Sequence, residues 1–335
     1  MWNELAGIPD MVTVDAARLS RRGVLAGGAA AATLPAAARA APAAELDIPL
    51  WPDDILAERV RPPMPIDPKL PARYHPVVNV TRPVITPYRP ARPNGAGIIT
   101  CAGGGYVLVG RSPGPPNWLA DRGYWVFDLL YRLPGGGWRA GPDASLQDVQ
   151  QAIRLVRARA AAFGVDPARI GVAGFSAGGH IAASAATRFA DDLQPPSNAL
   201  ASVSARPDFA LLACPVITMT EPHRHGASTK ALFGAMPSAD QAASHSAELR
   251  VTPRTPPCFL AHSASDRVVS PQNSILMFSA LRAVGVAAEL HIFDGGGHDM
   301  GQGFKPGTPV SAWPELFIQW LARSGFAAPG ANARG

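Results

Sequence analysis

Ser176 stands in the run Gly174-Phe175-Ser176-Ala177-Gly178, directly after the apolar stretch Ile170 to Ala173 and directly before a small-residue stretch of helical character. A G-x-S-x-G run permits a sharp strand-to-helix turn that side chains would block, and such a turn lifts the serine hydroxyl above the sheet edge. It also leaves the Ala177 amide at a helix N-terminus, aimed where negative charge would develop on a substrate. The implied chemistry is acyl transfer through a serine nucleophile. The same five residues also fit an ordinary glycine-rich turn, so the flanking features decide.

A serine nucleophile needs a base, an acid that orients the base, and donors for the oxyanion. Upstream, Gly97-Ile98-Ile99-Thr100-Cys101 reads as a buried strand running into Ala102-Gly103-Gly104-Gly105-Tyr106, where backbone can approach a ligand closely and aim amides at it. A phosphate cradle is the rival reading, but neither G-x-G-x-x-G nor G-x-x-x-x-G-K-[ST] occurs. Downstream, the short apolar strand Pro257 to His262 is followed by Asp266 in a polar turn. A helix near Pro271–Val284, a strand near Ala287–Phe293 and the loop Gly295-Gly296-Gly297-His298 come next. The chain order is therefore serine, acid, histidine, the order of α/β-hydrolases and not of the chymotrypsin or subtilisin types. In that arrangement His298 takes the Ser176 proton, and Asp266 fixes the imidazole tautomer and stabilises the imidazolium.

The chain has eight histidines. His291 lies in a strand pattern and reads as a packing residue or an exposed strand face. His180 follows the elbow on its helix and reads as a local hydrogen-bonding group. His223 and His225, after the strand Phe209–Cys214, either line a pocket or are solvated. Asp294 competes with Asp266 as the acid, but acid and base usually come from different loops and Asp294 is four residues from His298. Asp299 is expected to face away. No H-E-x-x-H or paired-cysteine spacing suggests zinc.

The stretch from Arg154-Leu155-Val156-Arg157 through Gly174-Phe175-Ser176-Ala177-Gly178-Gly179-His180 resembles the acetyl esterase and acetyl-xylan-esterase-like branch of the α/β-hydrolases. So do Gly103-Gly104-Gly105-Tyr106, Tyr131-Arg132-Leu133-Pro134, Thr255-Pro256-Pro257 and Asp266-Arg267-Val268-Val269. The similarity covers roughly residues 77–327. It implies serine-dependent ester hydrolysis without a cofactor, often the deacetylation of sugars. By position it makes Ser176 the nucleophile, Asp266 the acid and His298 the base, with Gly104, Gly105 and Ala177 supplying oxyanion-hole amides. Tyr106, Trp138 and His223 become candidate substrate contacts, Trp138 together with Trp313 as a surface for stacking sugars. Trp320 has the helical spacing of a core residue. Two departures bear on the shape of the acyl pocket: Ala102 replaces the usual proline or histidine before the glycines, and Asp299 replaces a usual glycine after the base.

From Gly97 onward strand and helix patterns alternate, which predicts an α/β fold with a mostly parallel central sheet, helices on both faces and a short cap. Leu146, Val149, Ile153, Val156, Ala160 and Phe163 recur at spacings of three and four, a core-facing helix stripe that leaves Arg154, Arg157 and Arg159 as its solvated side. Residues 41–93 hold thirteen prolines, which rules out a continuous helix; residues 41–76 read as an extended segment, and Val77–Val80 and Val84–Thr86 as edge strands, where proline is tolerated. Met219–Arg250 has weak periodicity and reads as a short cap over the site rather than a loose insertion. Residues 77–327 form the expected catalytic domain and residues 328–335 a tail.

The first forty residues read as a leader. Ser20-Arg21-Arg22-Gly23-Val24-Leu25 is a twin-arginine pattern, an alanine-rich apolar stretch follows, and Ala38-Arg39-Ala40 is an A-x-A cleavage signature. The expected partner is the twin-arginine export machinery and the expected location the periplasm or the outside of the cell. No segment reaches about eighteen uninterrupted apolar residues, so no membrane anchor is expected. The net charge of the whole chain is +5; the leader contributes four arginines against three acids, leaving +4 on the remainder. Those charges are scattered rather than clustered with aromatics, which argues against nucleic acid as a partner. Cys101, Cys214 and Cys258 make no disulfide framework and read as small buried hydrophobes. A binding protein that kept the fold without catalysis would show a substituted nucleophile, acid or base, and none is visible. A peptidase would call for a propeller-sized extension and a lipase for a long apolar lid; neither is present in the sequence.

Overall fold

The computed structural model describes residues 46–52, 76–110, 114–193, 198–301 and 307–326. The leader at 1–40, most of the proline-rich segment and the tail at 328–335 lie outside the described residues. The strands are β1 (Ile48–Pro49), β2 (Pro76–Val77), β3 (Val84–Tyr88), β4 (Gly97–Cys101), β5 (Val109–Gly110), β6 (Trp125–Leu130), β7 (Ile170–Phe175), β8 (Ala210–Ala213), β9 (Cys258–Ser263) and β10 (Ala288–Phe293). The helices are α1 (Gly114–Asp121), α2 (Ala144–Ala158), α3 (Ala160–Phe163), α4 (Ala177–Thr187), α5 (Gly226–Phe233), α6 (Ala239–Ser244), α7 (Gln272–Ala283) and α8 (Trp313–Arg323).

Eight of these strands form one sheet in the order β1-β3-β6-β4-β7-β8-β9-β10. From β6 to β10 every neighbour is parallel, while β1 and β3 add antiparallel pairings at one side. The chain has an α/β-hydrolase fold. The central strands are apolar without alternation because both of their faces are covered. Ile99 and Cys101 of β4, Phe127 of β6, Val172 of β7 and Leu212 of β8 pack with Val149 and Ile153 of α2, Ile181 of α4 and Met277 of α7. The alternate residues Ile98, Val126, Ala173, Leu211 and Phe259 face the opposite cluster, with Leu119 of α1 and Phe317 and Leu321 of α8. Side chains alternate across a strand, so one run of residues supplies both layers.

Three expectations need correction. Val84–Thr86 is not at an edge: β3 is fully buried and lies between β6 and β1, because Ile48–Pro49 adds a strand outside it. Residues 146–163 are not one helix, since α2 ends at Ala158 and the chain restarts as α3 after Arg159. Arg154 and Arg157 are not a solvated face. Arg154 is buried with Nε on the Val203 carbonyl, and the half-buried Arg157 pairs with Asp208 at 2.9 Å, because the chain at 203–208 folds over that side of α2. Arg159 is exposed. Cys101, Cys214 and Cys258 are buried thiols outside any disulfide.

Met219–Arg250 folds as α5, α6 and a final 3-10 turn at Ala247–Arg250 rather than as a loose insertion. Its end is tied to the nucleophile side of the sheet: the Ala247 amide donates to the Ile217 carbonyl at 3.1 Å, and the His245 carbonyl lies 2.7 Å from His180 Nε2 on α4. No described helix is long and apolar enough to cross a membrane.

Candidate active site

Ser176 follows β7, Asp266 follows β9, His298 follows β10 and the glycine run follows β4. All four therefore sit at the carboxyl ends of parallel strands, where open α/β sheets build their clefts. Ser176 has φ 55° and ψ −122°, a conformation L-residues avoid, which costs of order 1–3 kcal/mol and is held by the surroundings. Its amide donates to the Ala213 carbonyl, and its carbonyl accepts from the His180 and Val216 amides. A Cβ on Gly178 would collide with the carbonyl oxygens of Cys101 and Ala102, so the elbow fits against the end of β4 only because position 178 is glycine.

The three predicted side chains converge. His298 Nε2 lies 2.9 Å from Ser176 Oγ, and His298 Nδ1 lies 2.6 Å from Asp266 Oδ2. Asp266 Oδ1 accepts from the amides of Val268 (2.8 Å) and Val269 (3.0 Å). Burial alone would push this carboxyl upward, but hydrogen bonds from His262 and His298, the His298 charge and the Val269 amide hold it well below the usual carboxylate range. Asp266 is thus an anion beneath an imidazole whose other nitrogen faces a serine hydroxyl. Asp294 is exposed and takes no part in this line.

The glycine run lies over the elbow. A Cβ on Gly103 would approach the Ser176 Cβ to 3.1 Å, and Gly104, Gly105 and Tyr106 have φ of 142°, 62° and 66°. Ala177 is the first residue of α4, so its amide has no partner within the helix and carries the positive end of the helix dipole. The Ala102 carbonyl accepts from the Tyr131 hydroxyl at 2.7 Å, which fixes the start of this loop. The side chain of Asp299 lies outside the described residues.

The proposed substrate contacts fare differently. Tyr106 is not on the surface of the cleft: it is buried, and its hydroxyl is 2.6 Å from His180 Nδ1, joining the glycine loop to α4. Trp138 is not available for sugars either, since it is buried with the Arg132 guanidinium 5.2 Å from its ring centroid. Trp313 is buried against Phe175 and donates from Nε1 to the Met300 carbonyl, and Trp320 packs with Phe209, Phe259 and Phe317 in the core. His223 is half-buried, and its carbonyl accepts from Asn273 Nδ2.

Its neighbour His225 is the histidine of that loop that faces the site. Its Nδ1 lies 2.8 Å from the hydroxyl of the buried Ser228, which in turn sits 3.9 Å from the position a Gly105 Cβ would occupy. Burial and the nearby His298 hold His225 below the usual imidazole value, partly offset by Asp266. The sequence marked both histidines, and spacing alone does not choose between them. His262 carried no signal, because it closes an apolar strand; it is fully buried, with Nε2 3.2 Å from Asp266 Oδ2. Among the described residues no group of three metal-binding side chains occurs.

The BD-FAE family model matches residues 93–281, more than half of the chain. The chain is 36% identical over 155 residues to endo-1,4-beta-xylanase B of Butyrivibrio fibrisolvens, a match to 46% of this chain and 24% of that protein. It is 30% identical over 231 residues to an acetylxylan esterase of Xylanibacter ruminicola, covering 64% of this chain and 43% of that one. It thus spans less than half the length of either curated relative. Among solved structures, an acetyl ester-xyloside bifunctional hydrolase from Caldicellulosiruptor lactoaceticus superposes with a TM-score of 0.68 at 34% identity, covering 84% of this chain and 97% of that one.

Proposed function

Because the chain belongs to the BD-FAE family, within the acetyl-esterase-like branch of the α/β-hydrolases, we propose that it is an exported serine carboxylic-ester hydrolase that removes acetyl groups from xylan, xylo-oligosaccharides or similar small acyl esters. The observation that carries the chemistry is the continuous line Asp266–His298–Ser176, with heavy-atom distances of 2.6 Å and 2.9 Å. His298 accepts the Ser176 proton through Nε2 as Oγ attacks the ester carbonyl, while Asp266 keeps the hydrogen on Nδ1 and stabilises the imidazolium. The Ala177 amide and those of Gly104 and Gly105 receive the oxyanion. The imidazolium returns its proton to the departing alcohol, and the neutral imidazole this leaves then takes a proton from water, whose oxygen attacks acyl-Ser176 and releases the acid.

Acetylated carbohydrate as substrate is supported by two relatives, an acetylxylan esterase and an acetyl ester-xyloside bifunctional hydrolase. Export is supported by Ser20-Arg21-Arg22-Gly23-Val24-Leu25 and Ala38-Arg39-Ala40.

A fluorophosphonate probe tests the nucleophile: wild type labels at Ser176 and Ser176→Ala does not. Equal labelling of both proteins rejects it. A panel of p-nitrophenyl esters of rising chain length, run beside acetylated xylan, tests the substrate. A strong preference for long acyl chains overturns the deacetylase reading and leaves the hydrolase reading in place. Cell fractionation of the full chain, with Arg21→Lys and Arg22→Lys together as control, tests export; retention of the wild type in the cytoplasm refutes it.

A further inference from the structure

The line from serine to acid continues one residue deeper. We infer that His262 is a positioning residue for the reaction, acting through Asp266 without touching substrate; the inference rests on the triad reading above.

Asp266 Oδ2 faces two imidazoles, His298 Nδ1 at 2.6 Å on the cleft side and His262 Nε2 at 3.2 Å on the core side. With the Val268 and Val269 amides on Oδ1, four donors surround the carboxylate, which matches its acceptor capacity. The His262 tautomer follows from its surroundings. Nε2 is also 3.0 Å from the Val269 carbonyl, which can only accept, so Nε2 carries the hydrogen and shares it between that carbonyl and Asp266. Nδ1 lies 2.8 Å from the Ser274 hydroxyl, which ties the other end of the ring. The ring is thereby locked at both ends. His262 and Ser274 have no solvent exposure, so the ring cannot swing out.

Two consequences follow. His262 fixes the rotation of the Asp266 carboxylate and hence the direction from which Oδ2 meets His298. It also drains negative charge from the oxygen that His298 uses. Among the described residues, the titratable groups that act on Asp266 are His262, His298 and, from the loop before α5, His225. Removing the His262 donor concentrates charge on Oδ2, which holds the His298 imidazolium more tightly, so the acid limb of kcat/KM moves to higher pH. Loss of the donor also lets the carboxylate turn, so kcat falls.

The test is His262→Phe, which keeps a planar ring and removes the donor, beside His262→Gln, whose amide nitrogen restores a donor near Nε2. Rates are expressed per fluorophosphonate-labelled Ser176, so misfolded protein does not count. The expected result for H262F is about a tenfold loss of kcat, in keeping with a lost hydrogen bond to a charged group. KM stays within about twofold, and the acid limb rises by about half a pH unit. H262Q recovers most of both. A purely structural His262 would lower the labelled fraction but leave per-site kcat and the acid limb unchanged, and that result overturns the inference. If H262F yields no folded protein, 15N-histidine NMR of the wild type decides. A hydrogen on His262 Nε2 whose shift responds across the acid limb supports the inference, and an Nε2 without a hydrogen overturns it. Absence of label on wild-type Ser176 would remove the triad reading and this inference together.

Discussion

Asp148 and Asp266 are both buried carboxylates saturated with hydrogen bonds, and they do opposite things. Asp148 Oδ1 accepts from Trp51 Nε1 and Arg132 Nη2, each at 2.7 Å, while Oδ2 accepts from the Arg132 amide. Its counter-charge is a guanidinium that never deprotonates and is itself only 1% exposed. Asp266 is held as completely, but its charged-state partner His298 is a group that gains and loses protons and whose side chain is 24% exposed. The anchoring of the two acids is alike. What separates a fold clamp from a reaction centre is whether the partner can change its charge and whether it reaches solvent.

The sharpest way to break this comparison is to neutralise the acid at each centre. Asp266→Asn removes the anion and permits the wrong His298 tautomer, and kcat/KM on p-nitrophenyl acetate is expected to fall by about 10⁴. A value within tenfold of wild type would mean that Asp266 is another clamp. At the other centre, Arg132→Met leaves Asp148 buried without its cation, and urea unfolding should show a loss of about 3–5 kcal/mol. Turnover per folded molecule should stay within about twofold. Unchanged stability with collapsed turnover would place Arg132 in the reaction machinery and dissolve the distinction.

The same contrast explains how far the sequence could be read. The elbow, the strand after which each triad member falls, and the serine–acid–histidine order were legible because they rest on local backbone chemistry and on apolar runs buried on both faces. Choosing Asp266 over Asp294 needed only the rule that acid and base come from different loops. What the sequence could not convey is which side of an element meets another part of the chain. Tyr106 and Trp138 look like exposed aromatics until His180 and Arg132 are seen to occupy them. Arg154 looks solvated until the chain at 203–208 closes over it. His262 stays hidden because a histidine ending an apolar strand reads as packing, and its relation to Asp266 depends on a turn that no periodicity encodes.

A third buried polar centre, Tyr106–His180, lies between the two cases and sharpens the comparison through pH. His180 is titratable like His298 but sealed like Arg132; burial pulls it down to about 4, with smaller opposing contributions from the His245 carbonyl and Asp143. Its folded value lies below the unfolded value of about 6.5, so the unfolded chain binds the extra proton first. The stability linked to neutral His180 is therefore complete above about pH 6.5 and is lost as pH falls toward 4, an expected decline of about 3 kcal/mol in unfolding free energy. Asp143 adds to this at lower pH. Burial would raise it, but hydrogen bonds from His245 and Arg188 hold it at about 2, so its contribution is present above the ordinary carboxylate range and disappears as pH drops through 2. Urea unfolding at pH 7, 5.5 and 4 checks the first part; a flat profile would mean that His180 is exposed to water in solution.

The smallest predicted effect concerns Trp138, and it asks whether an aromatic beside a buried cation belongs to the fold or to the cleft. The ring is 2% exposed and lies 5.2 Å from the Arg132 guanidinium carbon, a geometry in which the ring face attracts the cation. Trp138→Phe keeps an aromatic face at that position but gives up part of the indole's area and quadrupole, so the expected cost in unfolding free energy is about 1 kcal/mol. KM for acetylated xylo-oligosaccharides should not move, because the indole faces Arg132 rather than the cleft that holds Ser176. A severalfold rise in KM with unchanged stability would show that the ring leaves Arg132 to stack on a sugar. The Arg132–Asp148 centre would then be joined to the reaction site rather than set apart from it.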